Sequence, residues 1–361
     1  MFVSDGLVDS YLPSCWPADI GASCTSTYAS LPDLPQSYIH QGCEHTCLQN
    51  TSNQAYVHIY FPFEYIYTNY KPRAEIIKDH FTMPPTNQDH WSSAKYQSAA
   101  SFVPQLTTTV LSYLDIQPTD HILDIGCGDG QLTSQIARAT TQGHVLGLDA
   151  SSSFIATANQ SYSPPNCSYR LQDCTALSAS SDAIADGSWD KVFSNAALHW
   201  ILRPPTTRLN VIHEIHRALK PGGTFVFEMG GKGNVAEIHS AFTAALVHAG
   251  LSIEEARETC PWFFPSVAWM RQMLEGVGFE VVKCESEYRP TKLNPETGDG
   301  SGGIEGWLRL MGARFLEGVD EGKREGVLKE VCDVLESVIT REEDGSRWIG
   351  YVRLRAVARK K

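Results

Sequence analysis

Asp124-Ile125-Gly126-Cys127-Gly128-Asp129-Gly130 stands where an apolar run, His121 to Cys127, gives way to a helical pattern, Gly130 to Thr140. Glycines at a strand-to-helix turn let a ligand approach the backbone closely. The spacing is G-x-G-x-G, whereas a tight pyrophosphate-binding turn uses G-x-G-x-x-G, so a dinucleotide site is the weaker reading. Nineteen residues after Gly130, Asp149 ends a second apolar run, His144 to Asp149. A carboxylate there can accept hydrogen bonds from both hydroxyls of a ribose.

Outward from this turn, short apolar runs alternate with helical periodicity, the pattern of a doubly wound α/β sheet. Ser152 to Gln160 reads as a helix, Ser168 to Cys174 as a third strand and Trp189 to Ala196 as a fourth. A helix from Thr206 to Leu219 is stopped by Lys220-Pro221-Gly222-Gly223, and Thr224 to Met229 reads as a fifth strand. The last third is richer in helices: Val235 to Ala249, Val267 to Gly276 and Ile304 to Leu316 flank a strand at Phe279 to Glu285. Lys292 to Gly303 reads as a loop, Lys323 to Ile339 as a final helix and Trp348 to Ala358 as a closing strand. The expected fold is a doubly wound, mostly parallel, seven-stranded sheet with an inserted helical cover. Its core spans residues 115–230 and 277–361, and the covering helices lie at about 232–276 and 303–320.

Residues 1–82, rich in Ser, Pro, Thr, Tyr and Cys, lack a sustained period and read as a leader of low order; the domain is expected over 83–361. Met83 would also serve as an initiator. With 42% hydrophobic and 19% charged residues the chain is globular in composition, and its net charge of −12 disfavours a nucleic-acid partner. The nearest thing to a basic stripe is Arg353 to Lys361. Ten cysteines are scattered rather than framed for disulfides, and Cys43 and Cys47, with His40 and His45 nearby, lack a second ligand pair at zinc spacing, so no metal is expected. There is no basic region followed by an apolar segment at the N-terminus. Tyr56 to Tyr67, the most apolar early run, is interrupted by His58, Pro62 and Glu64. Neither a signal peptide nor a membrane span is expected, and a cytoplasmic setting is the default.

Five segments, HILDIGCGDG, HVLGLDAS, RLQDCTAL, WDKVFSNAALHWI and ALKPGGTFVFEM, resemble in order and spacing the motifs of class I S-adenosylmethionine-dependent methyltransferases, which have a Rossmann-like fold. The Asn195-Ala-Ala-Leu-His199-Trp200 stretch and the earlier Trp91 to Tyr96 segment look most like the trans-aconitate methyltransferase branch and its small-molecule relatives. The resemblance covers about residues 84–361 and is tightest through residue 230. It implies S-adenosyl-L-methionine as cofactor. Gly126, Gly128 and Gly130 would line its methionine part, with Asp124 holding the loop and the amino group. Asp149 would bind the ribose, Asp173 the adenine amino group, and Cys174 would wall the ring. Asn195 and Ala196 would face the methionine carboxylate and sulfonium, and Tyr96 and Gln97 would close the pocket.

The expected activity is methyl transfer to a small-molecule acceptor, with oxygen of an organic acid or secondary metabolite favoured. The rivals are a cofactor-binding protein without transfer activity and a nucleotide-dependent oxidoreductase. His199, with an ordinary pKa of ~6.5, fits either a general base or an orienting wall beside Trp200. Arg314 sits inside an apolar stripe with Trp307, Leu310 and Met311, where it either clamps an acceptor carboxylate or lays its stem over the stripe.

Overall fold

The structure is a computed structural model that describes residues 107–177 and 184–361. The leader, Tyr96, Gln97 and the Cys43/Cys47 cluster lie outside the described residues.

Seven strands form one sheet in the order β3-β2-β1-β4-β5-β7-β6. They are β1 (His121–Ile125), β2 (His144–Asp149), β3 (Cys167–Leu171), β4 (Trp189–Asn195), β5 (Leu219–Gly230), β6 (Phe279–Lys292) and β7 (Trp348–Lys360). The first five run parallel; β7 is antiparallel to both β5 and β6. Successive residues of a strand face opposite sides, and both sides are covered, so the central strands read as unbroken apolar runs. Ile122 therefore packs with Val110, Leu114, Ile136 and Phe193 on one face, while Leu123 and Ile125 pack with Val192, Ile212 and Leu274 on the other.

The helices on these faces are α1 (Thr108–Leu114), α2 (Gln131–Ala139), α3 (Ser152–Ser161), the single turn α4 (Leu198–Ile201), α5 (Arg208–Ala218) and α8 (Val267–Val277). A third core belongs to the cover: α6 (Ala236–His248), α7 (Ile253–Glu258), α9 (Gly303–Met311), α10 (Ala313–Glu317) and α11 (Glu321–Ile339). There Phe242 and Phe315 stack at 4.4 Å between ring centroids, with Trp262, Trp307 and Leu328 around them.

Four local expectations change. Strand β6 continues to Lys292 because its ladder with β7 runs on through charged, solvent-facing residues that give no apolar alternation. The helix read as Ile304 to Leu316 breaks at Gly312, where a Cβ would lie 2.7 Å from the Leu308 carbonyl and 2.8 Å from the Phe242 ring. Helix α7, unread in the sequence, is started by a capping box in which Ser252 and Glu255 satisfy each other's backbone N–H groups. Strand β5 starts at Leu219, before the Pro-Gly-Gly turn, and shifts register against β4 there.

The basic run at the C-terminus is strand β7 and not a surface stripe. Arg353 and Arg355 are buried and donate from Nε to the equally buried Glu228, at 2.9 and 2.6 Å, and Arg289 joins the same carboxylate at 3.1 Å. Arg359 pairs with Glu280. No disulfide forms among the described cysteines, and no described helix is long and apolar enough to cross a membrane.

Candidate active site

A cavity of about 600 Å³ opens at the carboxyl ends of β1, β2 and β4, beneath the helical cover. In an open α/β sheet this crevice is where ligands bind. All the expected site residues among the described ones line it, except Gly130.

The glycine loop is fastened to the end of β2: the N–H groups of Gly126 and Cys127 both donate to the Leu148 carbonyl, at 2.8 and 2.9 Å. Gly126 and Gly128 have φ of +74° and +58°, a region that favours glycine. A Cβ on Gly126 would lie 2.2 Å from that of Ala197, so the loop and the start of α4 are in close contact. A Cβ on Gly128 would meet nothing within 4 Å, leaving bare backbone toward the cavity. Gly130 has a different task. Its missing side chain makes room for Ala158 and the Tyr169 ring, 2.7 and 2.8 Å from a Cβ there, and the Tyr169 hydroxyl donates to the Gly130 carbonyl. The third glycine packs the loop from behind; it does not line the ligand space.

Asp149 accepts from the N–H groups of Gly128 and Ser151, both at 2.9 Å, which holds its carboxylate at the strand end. Asp173 accepts from the Thr175 N–H at 2.8 Å. Asp124 is buried and accepts from the Thr133 hydroxyl at 2.6 Å; burial pushes its carboxyl up to about 7, with Asp149 adding to the rise. Burial, reinforced by Asp149, also raises the Cys174 thiol, which makes it a wall and a poor nucleophile. At the end of β4 the side-chain Oδ1 of Asn195 is buried without a hydrogen-bond partner, an acceptor aimed at a missing donor. Ala196 beside it has φ of +57°, an unusual conformation held by its N–H bond to the Glu228 carbonyl. Bare glycine backbone, two fixed carboxylates and an unmet acceptor fit the donors of a nucleoside that carries an amino acid, such as S-adenosylmethionine.

The opposite side of the cavity is built from α4, residues 261–264, α9, α10 and β7. Trp200, Trp262, Phe264, Trp307 and Tyr351 supply rings, and Arg203, Arg314 and Arg353 supply charge. Arg203 donates to the carbonyls of Cys260 and Glu258, both at 2.6 Å, and so holds the 258–264 segment over the cavity. Arg314 lies close enough for its charge to add to the burial that lowers Arg203, and its own Nε is buried without a partner. The break at Gly312 puts Arg314 on α10 and Trp307 on α9, and both line the cavity.

His199 is buried. Its Nδ1 accepts the Gly230 N–H at 3.4 Å, so the ring proton belongs on Nε2. Burial, with the Arg353 charge second, holds its pKa well below the usual imidazole range. The ring is therefore neutral near pH 7 and offers an N–H rather than a basic lone pair.

Sequence reading missed Arg203, Arg353, Trp262, Phe264 and Tyr351. The Pro261-Trp-Phe-Phe-Pro265 cluster was a usable signal for a loop packed on the site. Arg353 gave none, since its approach to the cavity depends on the pairing of β7 with β5.

Residues 122–223 match the methyltransferase domain family. Over 277 residues the chain is 35% identical to an uncharacterised methyltransferase of Schizosaccharomyces pombe, covering 76% of this chain and 99% of the relative. It is 24% identical over 277 residues to a trans-aconitate 2-methyltransferase of Delftia acidovorans, covering 75% of this chain and 98% of that one. A malonyl-[acyl-carrier protein] O-methyltransferase of a Marinomonas strain is 31% identical over 152 residues, 42% of this chain and 53% of that one. The chain belongs to the class I S-adenosylmethionine-dependent methyltransferases. It is an enzyme of methyl transfer, built on their mixed seven-stranded sheet.

Proposed function

We propose that this enzyme transfers the methyl group of S-adenosylmethionine to an oxygen of a small organic acid. The observation that carries the proposal is the distribution of charge within one cavity: carboxylates stand at the strand ends, while Arg203, in the turn after α4, and Arg314, on α10 with Glu317, line the other side, Arg314 with an unpartnered Nε. A cationic cofactor belongs on the first side and an anionic acceptor on the second. Two relatives carry names that point the same way, to trans-aconitate and to O-methylation of a malonyl group.

When bound, the cofactor supplies a methyl already activated on a sulfonium. Asp149 would hold its ribose, Asp173 and Cys174 its adenine, and Asp124 and Asn195 its methionine end. Tyr96 and Gln97 remain assigned to pocket closure. The protein's remaining task is alignment, and alignment supplies most of the acceleration in such a displacement. A carboxylate acceptor carries no proton to remove, so neutral His199 suffices as a donor that orients an acceptor oxygen, with Trp200 as the wall beside it.

Incubation with methyl-labelled cofactor and a panel of carboxylic acids should yield a labelled methyl ester that alkali hydrolyses. Label recovered only in an alkali-stable ether, amine or carbon-methylated product would overturn the acid reading. Calorimetry tests the cofactor side: Asp149→Ala should weaken binding by about 1.5–3 kcal/mol, the scale of charge-assisted hydrogen bonds left unmade. Unchanged affinity would remove Asp149 from the site.

A further inference from the structure

The arginines occupy only part of the acceptor half; beside Asn234, Met311 and Glu317, its wall carries a cluster of aromatic rings. Trp262 is the hub. Its ring stacks on Phe264 at 5.6 Å and 20°, and meets Trp200 edge-on at 5.8 Å and 70°. Trp307 lies 6.1 Å away, and its indole N–H is already bonded to the Tyr351 hydroxyl at 2.9 Å. Trp262 and Trp307 are buried in the core of the cover, which fixes their orientation before any ligand arrives.

A short aliphatic polyacid would engage the arginines but leave the ring cluster without a matching partner. A quaternary ammonium would suit rings alone, but not rings beside Arg203 and Arg314. A flat conjugated body satisfies the wall, because ring faces and edges favour offset-stacked and edge-to-face partners. An anionic group on that body satisfies the Arg314 Nε. We infer that the acceptor is an aryl-conjugated carboxylic acid, its planar body lying against the cluster of Trp200, Trp262 and Phe264 and its carboxylate turned to Arg314. This rests on the organic-acid reading and narrows it.

The test compares three acids by calorimetry on the full chain saturated with S-adenosylhomocysteine: trans-cinnamate, hexanoate, and trans-aconitate. Hexanoate matches cinnamate in charge without the π system; aconitate, with three carboxylates, has more charge and no ring. Cinnamate should bind at least tenfold more tightly than either. Phe264→Leu should cut that preference at least threefold while altering hexanoate affinity less than twofold. Trp262→Leu should do the same where its melting temperature shows a folded protein. Equal or tighter binding of hexanoate or aconitate, or a preference untouched in Phe264→Leu, overturns the aromatic inference and leaves the organic-acid reading standing. Failure of all three acids to bind overturns both.

Discussion

Asp124 shows how one residue can carry both the fold and the site. Held under the glycine loop by Thr133, it is buried enough for its carboxyl to reach about 7. Its folded-state pKa lies above the unfolded value of ~3.9, so the folded protein keeps a proton that the unfolded chain releases between about pH 4 and 7. The stability tied to that proton is present at low pH and is lost as pH rises through 7. Asp124→Asn removes the ionisation. The melting temperature of the cofactor-free variant should therefore fall less than that of the wild type between pH 6 and 8.5, and its cofactor affinity should drop. Parallel melting profiles would show that another group titrates. His199 gives the opposite sign. Its pKa is lowered, so it costs stability only as pH falls below about 6.5, where the unfolded chain takes up a proton. At saturating cofactor, kcat should show no His199 ionisation between pH 6 and 7. His199→Ala should cost less than about tenfold, where loss of a general base would cost 10²-fold or more. The acids of the site were legible because each stands at a strand end marked by apolar runs. Arg353 was not, because nothing in its neighbourhood along the chain reveals that Glu228 and His199 lie across the sheet.

Among the elements, the 258–264 segment governs the acceptor side. The Phe263 N–H bonds the His199 carbonyl at 2.9 Å, Arg203 holds the carbonyls of Glu258 and Cys260, and Phe264 lies against Gly230 at the end of β5. A Cβ on Gly230 would sit 2.3 Å from the Phe264 ring. Gly230→Ala should therefore push Phe264 off its place and raise the acceptor KM several-fold, with cofactor affinity changed less than twofold. Equal losses in both would mean that the end of β5 serves the whole cavity. These contacts also explain which elements sequence could give. Strands β1, β2 and β4 are buried on both sides, and their apolar runs marked them within a residue or two. Strand β6 lies at the sheet edge, with Val282, Glu287 and Tyr288 exposed, so its second half carried no apolar signal. The break between α9 and α10 depends on Phe242 pressing on Gly312, a contact 70 residues distant in the chain.

At the scale of the molecule, this chain is acidic overall yet turns three arginines toward one cavity. Arg353 is already paired with Glu228 and Arg203 with two carbonyls, so Arg314, whose Nε is buried without a partner, is the one of the three that stands to gain from an anionic ligand. The whole chain is also longer than its Schizosaccharomyces pombe relative. The Schizosaccharomyces pombe relative is covered over 99% of its length by an alignment spanning 76% of this chain, which leaves about a quarter without a counterpart. Residues 1–82 have the composition to be that quarter: they lack the apolar periodicity with which a segment packs on a core. A chain beginning at Met83 should therefore express, bind S-adenosylmethionine with unchanged affinity and melt within a few degrees of the full protein. Tyr96→Ala in that shorter chain separates the leader from the segment assigned to pocket closure, and should weaken cofactor binding several-fold without lowering the melting temperature of the cofactor-free protein. A fall of more than about 10 °C on removal of residues 1–82 alone would instead show that the leader packs on the methyltransferase domain, because at this chain size such a shift corresponds to several kcal/mol of lost contacts.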